Sequence, residues 1–257
     1  MVGNIYQINI KKYLLMRKSD FMEFSVAIAT YNGEKYIKQQ IESIIKNFNK
    51  EKYEIIISDD GSTDKTLEII NKMNKPNIKI INGPKKGIIK NFENAIKNCT
   101  GKIIFLCDQD DIWFPYKVKT IKEYFEKDNY LLIVHDNIVV NSKLEIINES
   151  FFEQRKCKNG FINNIVKNSF IGCCMAFKSE LKDEILPIPD DMMMHDQWIG
   201  LIALLNGKVK FIDDKLILYR RHQKNNSGIK KNSVIRMIKN RFIILKNLIK
   251  YRRQHEK

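Results

Sequence analysis

The sequence predicts an α/β protein built on a mostly parallel, doubly wound central sheet, with an irregular second half and a basic amphipathic helix near its end. Two strongly apolar, β-branched runs stop in carboxylates: Glu54-Ile-Ile-Ile-Ser-Asp59-Asp60-Gly61-Ser62-Thr63-Asp64 and Lys102-Ile-Ile-Phe-Leu-Cys-Asp108-Gln109-Asp110-Asp111. Such a run reads as a buried parallel strand that delivers its acids to the C-terminal edge of a sheet, where open α/β folds bind ligands. Strand-like and helix-like segments also alternate over the first half, the signature of parallel crossover units. Carboxylates gathered at one edge call for a cation.

The elements follow in order. Phe24 to Thr30 reads as a strand, Glu34 to Phe48 as a helix, Tyr53 to Ser58 as a strand, and Lys65 to Met73 as a helix that Ser62, Thr63 or Asp64 can cap. The unit repeats with a short strand over Ile78 to Asn82, a helix over Ile88 to Lys97, a strand over Lys102 to Cys107 and a helix over Pro115 to Glu126, with proline near its first turn. Leu131 to His135 is a further strand, after which the pattern loosens. Cys173 to Lys178, His195 to Leu205, Val209 to Ile212 and Leu216 to Tyr219 read as strand, helix, strand and strand, a layout suited to holding an acceptor. Val234 to Arg253 reads as a long helix with Ile235, Ile238, Phe242, Leu245 and Ile249 on one stripe and bases elsewhere.

Composition narrows the class. At 257 residues and 44% hydrophobic the chain can bury a full core in one large domain plus an appendage. The expected organisation is a disordered leader over 1–22, with Met22 an alternative start, a main domain over 23–228 and a basic helix over 229–257. The net charge is +15, and the stretch from Lys230 onward holds ten Lys and Arg against one Glu. A basic tail on a mildly basic body points to a polyanionic surface, lipid headgroups or nucleic acid. With no aromatic-basic platform, nucleic acid is the weaker partner. Five cysteines, an odd number that includes the adjacent Cys173 and Cys174, do not form a disulfide framework and imply a reducing cytosol. Lys11, Lys12, Arg17 and Lys18 interrupt the apolar stretches at the start, so no signal-peptide core forms, and no run is long enough to span a membrane.

Four segments in order, Ala29-Thr30-Tyr31-Asn32-Gly33-Glu34, Asp59 to Asp64, Asp108-Gln109-Asp110-Asp111 and His195-Asp196-Gln197-Trp198, strongly resemble glycosyltransferase family 2 over about residues 24 to 225. That family comprises inverting, nucleotide-sugar-dependent enzymes of the GT-A fold. The flanking Lys90-Asn91-Phe92-Glu93-Asn94 and Leu218-Tyr219-Arg220-Arg221-His222 look most like its rhamnosyltransferase-like branch, which builds bacterial surface polysaccharides.

The resemblance implies roles that the residue types can fill. A nucleotide-diphosphate leaving group is negatively charged, and a hard divalent cation, Mg²⁺ or Mn²⁺, suits it and the carboxylates alike. Asp110 matches the metal-binding aspartate, Asp108 completes the Asp-x-Asp pattern and also faces the donor, and His222 is a further candidate ligand. Tyr31 is placed to stack on the base and Asp60, less so Asp59, to accept a hydrogen bond from it, with Thr30, Asn32, Glu34 and Lys90 in the same donor site and Arg220 closing over the diphosphate. Read alone, Asp59 and Asp60 could equally cap the helix that follows. Asp196 is the candidate general base, although an Asp opening a helix is also an ordinary N-cap. Where the family usually shows Glu before this Asp, the chain has His195.

The implied activity is transfer of a sugar from a nucleotide-diphosphate donor to a glycan or lipid-linked acceptor, by a cytoplasmic protein peripheral to the inner face of the cell membrane. The alternatives are a metal-dependent phosphohydrolase, suggested by His135-Asp136 and His195-Asp196, and a nucleotide-binding module without transferase activity.

Overall fold

The computed structural model describes residues 22–222 and 234–255. The expected leader lies outside the described residues but for Met22, as does the boundary expected at residues 228 and 229. The first half forms as the alternation predicts: β1 (Phe24–Thr30), α1 (Ile37–Ile45), β2 (Tyr53–Asp59), α2 (Thr66–Lys72), β3 (Ile78–Asn82), α3 (Ile88–Asn98) and β4 (Ile103–Cys107). All seven residues of β1 are buried. Successive strand residues point to opposite faces, so both faces of the sheet are covered there, as a doubly wound fold requires. In α1 the spacing of Ile37, Ile41 and Ile44 sets one stripe against the core.

The second half comprises β5 (Ile112–Trp113), α4 (Lys117–Lys127), β6 (Tyr130–Asn141), β7 (Ile146–Asn148), α5 (Phe151–Arg155), α6 (Phe161–Val166), β8 (Met175–Lys178), α7 (Lys182–Ile185), α8 (His195–Asn206), β9 (Lys208–Arg221) and α9 (Val234–His255). The sheet order is β3-β2-β1-β4-β8-β6-β9-β5, with β7 paired to β6. Strands β3, β2, β1 and β4 are mutually parallel. Beyond them the sheet is mixed: β8 runs antiparallel between β4 and β6, and β6 and β9 run parallel.

Several boundaries differ from expectation. The two strands expected over Val209–Ile212 and Leu216–Tyr219 are one 14-residue strand. Ile212 pairs with His135 and Lys215 with Asp136, so Asp213 and Asp214 are accommodated by a shift of register rather than a turn. The strand expected to stop at His135 runs on to Asn141. Of the strand expected from Cys173, the first two residues belong to a single 3₁₀ turn, Gly172–Cys174. Residues Asp196 to Ala203 of α8 are buried on every side, which makes this helix part of the core. α9 also has an inner face, on Ile244, Leu248 and Tyr251. Polar bonds fix that face: the Asn247 side chain and Lys246 both donate to Asp191, and Asn206 donates to the Tyr251 hydroxyl.

Chain order places β1 between β2 and β4: the chain runs outward through β2 and β3, then returns to pair β4 on the other side of β1. That reversal opens a crevice beyond the C-terminal ends of β1 and β4, where Tyr31 and Asp108 follow their strands.

Gly101 sits where the chain enters β4 beside β1. A Cβ there would lie 2.5 Å from the carbonyl carbon of Phe24 and 2.5 Å from the amide nitrogen of Ser25, and backbone cannot yield as a side-chain tip can. Gly101→Ala is therefore expected to lower the unfolding free energy by about 1–3 kcal/mol, the scale of overpacking in a dense core, measured by urea titration.

Candidate active site

At the crevice the loops after β1 and β2 are knitted together by side chains from both. Asn32, in a left-handed conformation at φ 50°, accepts the Thr63 amide on Oδ1 and donates its own amide to Ser62. Glu34 accepts from the Lys65 amide, and Asp64 accepts from the Glu34 amide. Asp64 also accepts the Thr66 amide, so it caps α2 although it stands two residues before it. Asp59 accepts from the amides of Gly61 and Ser62, and Asp60 from those of Lys85 and Gly87 at 2.6 and 2.8 Å. Each of these acids thus shapes the edge of the crevice, and Tyr31 is left 55% exposed above it.

Two residues here had no role assigned from sequence. Gln109 receives the Thr30 hydroxyl and the Tyr31 amide on its carbonyl oxygen and donates back to the Tyr31 carbonyl, tying β1 to the acidic loop after β4. Asn91, buried in α3, donates to the carbonyls of Thr30 and Ser58 and so pins the ends of β1 and β2. Lys90 beside it was expected among the donor-binding residues. Its ammonium bonds Glu93, Asp190 and the Ile188 carbonyl at 2.6–2.8 Å, bracing α3 against the segment that leads into α8.

The second acidic cluster is the electrostatic centre. Arg220, 3% exposed, comes across from β9: its amide donates to Asp111, its Nε to the Asp110 carbonyl and its Nη2 to Gln39, while the guanidinium lies over the Tyr36 ring at 4.5 Å. These bonds brace the acidic loop. His222 Nε2 stands 2.7 Å from Asp110 Oδ2, its ring 5.0 Å from that of Tyr36. Burial raises Asp110, and His222 and Arg220 pull it back; burial and then the charges of Asp110 and Asp108 hold Asp111 well above the carboxylate range. Asp108 is pushed up to about 7, by burial first and then by the charges of Asp110 and Asp196.

Asp196 thus lies near enough to Asp108 for its charge to help raise it. Burial raises it to about 6, opposed by hydrogen bonds from the Gln197 amide, the Asn168 side chain and the Gly172 backbone. The preceding His195 is stacked on Phe92 at 4.1 Å, and burial lowers it to about 4, so it is a neutral packing residue. It explains Gly172: a Cβ there would meet His195 Nε2 at 2.7 Å.

For a divalent cation the donor set fits. Asp110 and His222 already converge, and Asp108 and Asp111 offer oxygens that, with Cys173 Sγ, lie within 4.8 Å of one another. Asp111 Oδ2 is buried with no hydrogen-bond partner. The Cys173 thiol is held well above its ordinary value, by a hydrogen bond with Cys174 and by burial, which leaves oxygen and imidazole as the ligands for a hard ion. Among the described residues the His135-Asp136 pair is not in this ligand group, although His135 bonds the neighbouring Cys174 thiol. His135 is fully buried, and the Asp136 carboxylate accepts from Asn137, Ser150 and Phe152, anchoring α5. The phosphohydrolase reading loses its second His-Asp pair.

The sequence was compared with known proteins. The model of a family described as glycosyl transferase family 2 matches residues 25–186. An uncharacterized glycosyltransferase of Nostoc sp. is 26% identical over 215 residues, covering 80% of this chain and 66% of that one. The dTDP-rhamnosyl transferase RfbG of Shigella flexneri is 29% identical over 227 residues, covering 78% and 73%. The crystal structure of Staphylococcus aureus TarS 1-349 in complex with UDP superposes with a TM-score of 0.65 at 25% identity, covering 78% of this chain and 61% of that one. The chain thus spans less than two thirds of both the Nostoc and the TarS chains.

The raised value of Asp108 carries a stability consequence. Its proton is held more tightly folded than unfolded, so the folded state loses stability as pH rises from about 4 through about 7. Asp108→Asn, assayed in chelator, is expected to raise the melting temperature at pH 8, with the gain shrinking towards pH 4.

Proposed function

The chain belongs to glycosyltransferase family 2, and from that premise we propose that it transfers a sugar, with inversion, from a nucleotide-diphosphate donor to a carbohydrate hydroxyl. The observation that carries the reading is the convergence of Asp196 on Asp108, close enough for one charge to raise the other, although 88 residues separate them. A cation site and a lone carboxylate across one space are what a single displacement needs. RfbG is named for dTDP-rhamnosyl transfer and TarS is solved with UDP, which supports a nucleotide-diphosphate sugar as donor.

Tyr31 offers its exposed ring to the base, on a loop that Thr30, Asn32, Glu34, Asp59 and Asp60 hold in shape. A divalent cation, Mg²⁺ or Mn²⁺, held by Asp108, Asp110 and His222 would neutralise the charge that develops on the departing diphosphate. Asp196 takes the proton of the acceptor hydroxyl as that oxygen attacks the anomeric carbon. The new carbon–oxygen bond forms as the bond to the diphosphate breaks, and the electron pair leaves with the phosphate oxygen. The acceptor is a glycan or a lipid-linked intermediate of a surface polysaccharide, met at the inner face of the cell membrane. Among the described residues no helix is long and apolar enough to cross it.

Asp110→Asn is expected to abolish transfer while donor-independent folding persists. Activity that survives both this change and excess chelator would remove the cation from the reaction. Asp196→Asn should leave donor KM near that of the unsubstituted protein and lower kcat by roughly 10²- to 10⁴-fold, the scale of general-base catalysis. Because the base must be unprotonated, kcat of the unsubstituted protein should climb as pH passes about 6, and the Asn variant should lack that limb. NMR of the product should show the inverted anomer.

A further inference from the structure

The helix α9 has two faces that do different things. Ile244, Leu248 and Tyr251 are buried against the body, whereas Ile238, Phe242, Leu245 and Ile249 are 44–74% exposed. At 100° per residue these four fall in one narrow stripe, about 120° round the helix from the buried face. The helix carries seven Lys and Arg and no Asp or Glu. By the same spacing Lys250 and Arg253 flank the exposed stripe on one side, and Arg241 and Arg252 on the other.

A second element continues that surface. Arg241 donates to the carbonyl of Val166, the last residue of α6, so α6 lies against the flank of α9. Ile162 and Val166, one helical turn apart, are 75% and 56% exposed. From Gln154 to Ser179, the stretch that contains α6, there are five Lys and Arg and not one acid. Two residues past Val166, Asn168 donates to Asp196. The apolar surface and the candidate base are therefore joined through a single short loop.

We propose that α6 and α9 together form a face that docks on an anionic lipid bilayer, with the acceptor side of the crevice held at the headgroups. Apolar side chains in the acyl boundary ringed by bases at headgroup level are what such a surface selects. A second copy of the chain is the poorer occupant, since face-to-face pairing would set two basic helices against each other. That the docked face delivers a lipid-linked acceptor to Asp196 rests on the transferase reading; the docking does not.

The test is co-sedimentation of the full chain with phosphatidylcholine vesicles made with and without phosphatidylglycerol, at low and high salt. Binding is expected only with phosphatidylglycerol and should weaken in salt. Phe242→Ser with Ile249→Ser, and separately Ile162→Ser with Val166→Ser, should each bind about tenfold more weakly, because the lost anchors no longer bury apolar surface. All four side chains point outward, so melting temperature and donor hydrolysis should not move. Lys250→Glu with Arg253→Glu should also lose binding. Vesicle binding unchanged in these variants would overturn the proposal, as would a vesicle-independent dimer abolished by Phe242→Ser with Ile249→Ser. Absence of donor hydrolysis in the unsubstituted protein, with vesicle binding as expected, would count against the transferase reading alone.

Discussion

Three carboxylates in four residues at the end of a buried strand are the constraint around which the rest of the protein is arranged. Asp108, Asp110 and Asp111 repel one another, and burial adds to the cost of their charge. Arg220 at the end of β9 bonds the Asp110 carbonyl, and His222 just beyond it bonds the Asp110 carboxylate. Strands β8 and β6 lie between β4 and β9, and a two-residue β5 hooks the acidic loop onto β9 by pairing Ile112 with Leu218. The irregular half of the sheet is the route by which compensating charge reaches the acids.

Asp196 is supported differently. Its neighbours are dipoles: two backbone amides and the Asn168 carboxamide. The acids after β4 have full charges for company, and Asp196 has none in direct contact. Two kinds of carboxylate thus lie near one another, one kind raised by burial and by its neighbours' charge, the other raised by burial and steadied by dipoles. Environments that separate otherwise identical groups in this way are how acid and base roles are divided among them. The neutral His195, stacked on Phe92, keeps a competing titration away from the candidate base.

The parallel half of the fold was legible because each strand there is apolar on both faces and each helix has one stripe. The second half was less so, for reasons that lie in particular residues. Asp213 and Asp214 interrupt the apolar run of β9 and read as a turn, but the register shift opposite His135 and Asp136 absorbs them. His135, Asp136 and Asn137 read as the end of β6, yet they are buried in it because Ser150 and the amides of Asn137 and Phe152 satisfy the Asp136 carboxylate. The bases and apolar stripe of α9 were visible, but not which face packs: the buried side is the less apolar one, fixed by Asn247 and Tyr251 through partners on distant segments. Of the candidate site residues, the positions along the strand ends came from the motifs. That Lys90 and Arg220 act as braces depends on contacts with residues about a hundred positions away, and no local pattern reports those.

The late arrival of β9 also bears on how the protein is made. Arg220 and His222 follow Asp110 by 110 and 112 residues. At the usual pace of synthesis that interval is roughly 6 to 22 s. Strands β1 to β4 precede the rest of the sheet in the chain and can pair first, so the nascent domain passes through a stage in which its three acids and the buried Lys117 beside Asp111 are in place while Arg220 and His222 are still untranslated. During that stage protons or ions take a larger share in relieving the repulsion. A divalent ion at the proposed site would then also act earlier, as a stand-in for the missing last strand.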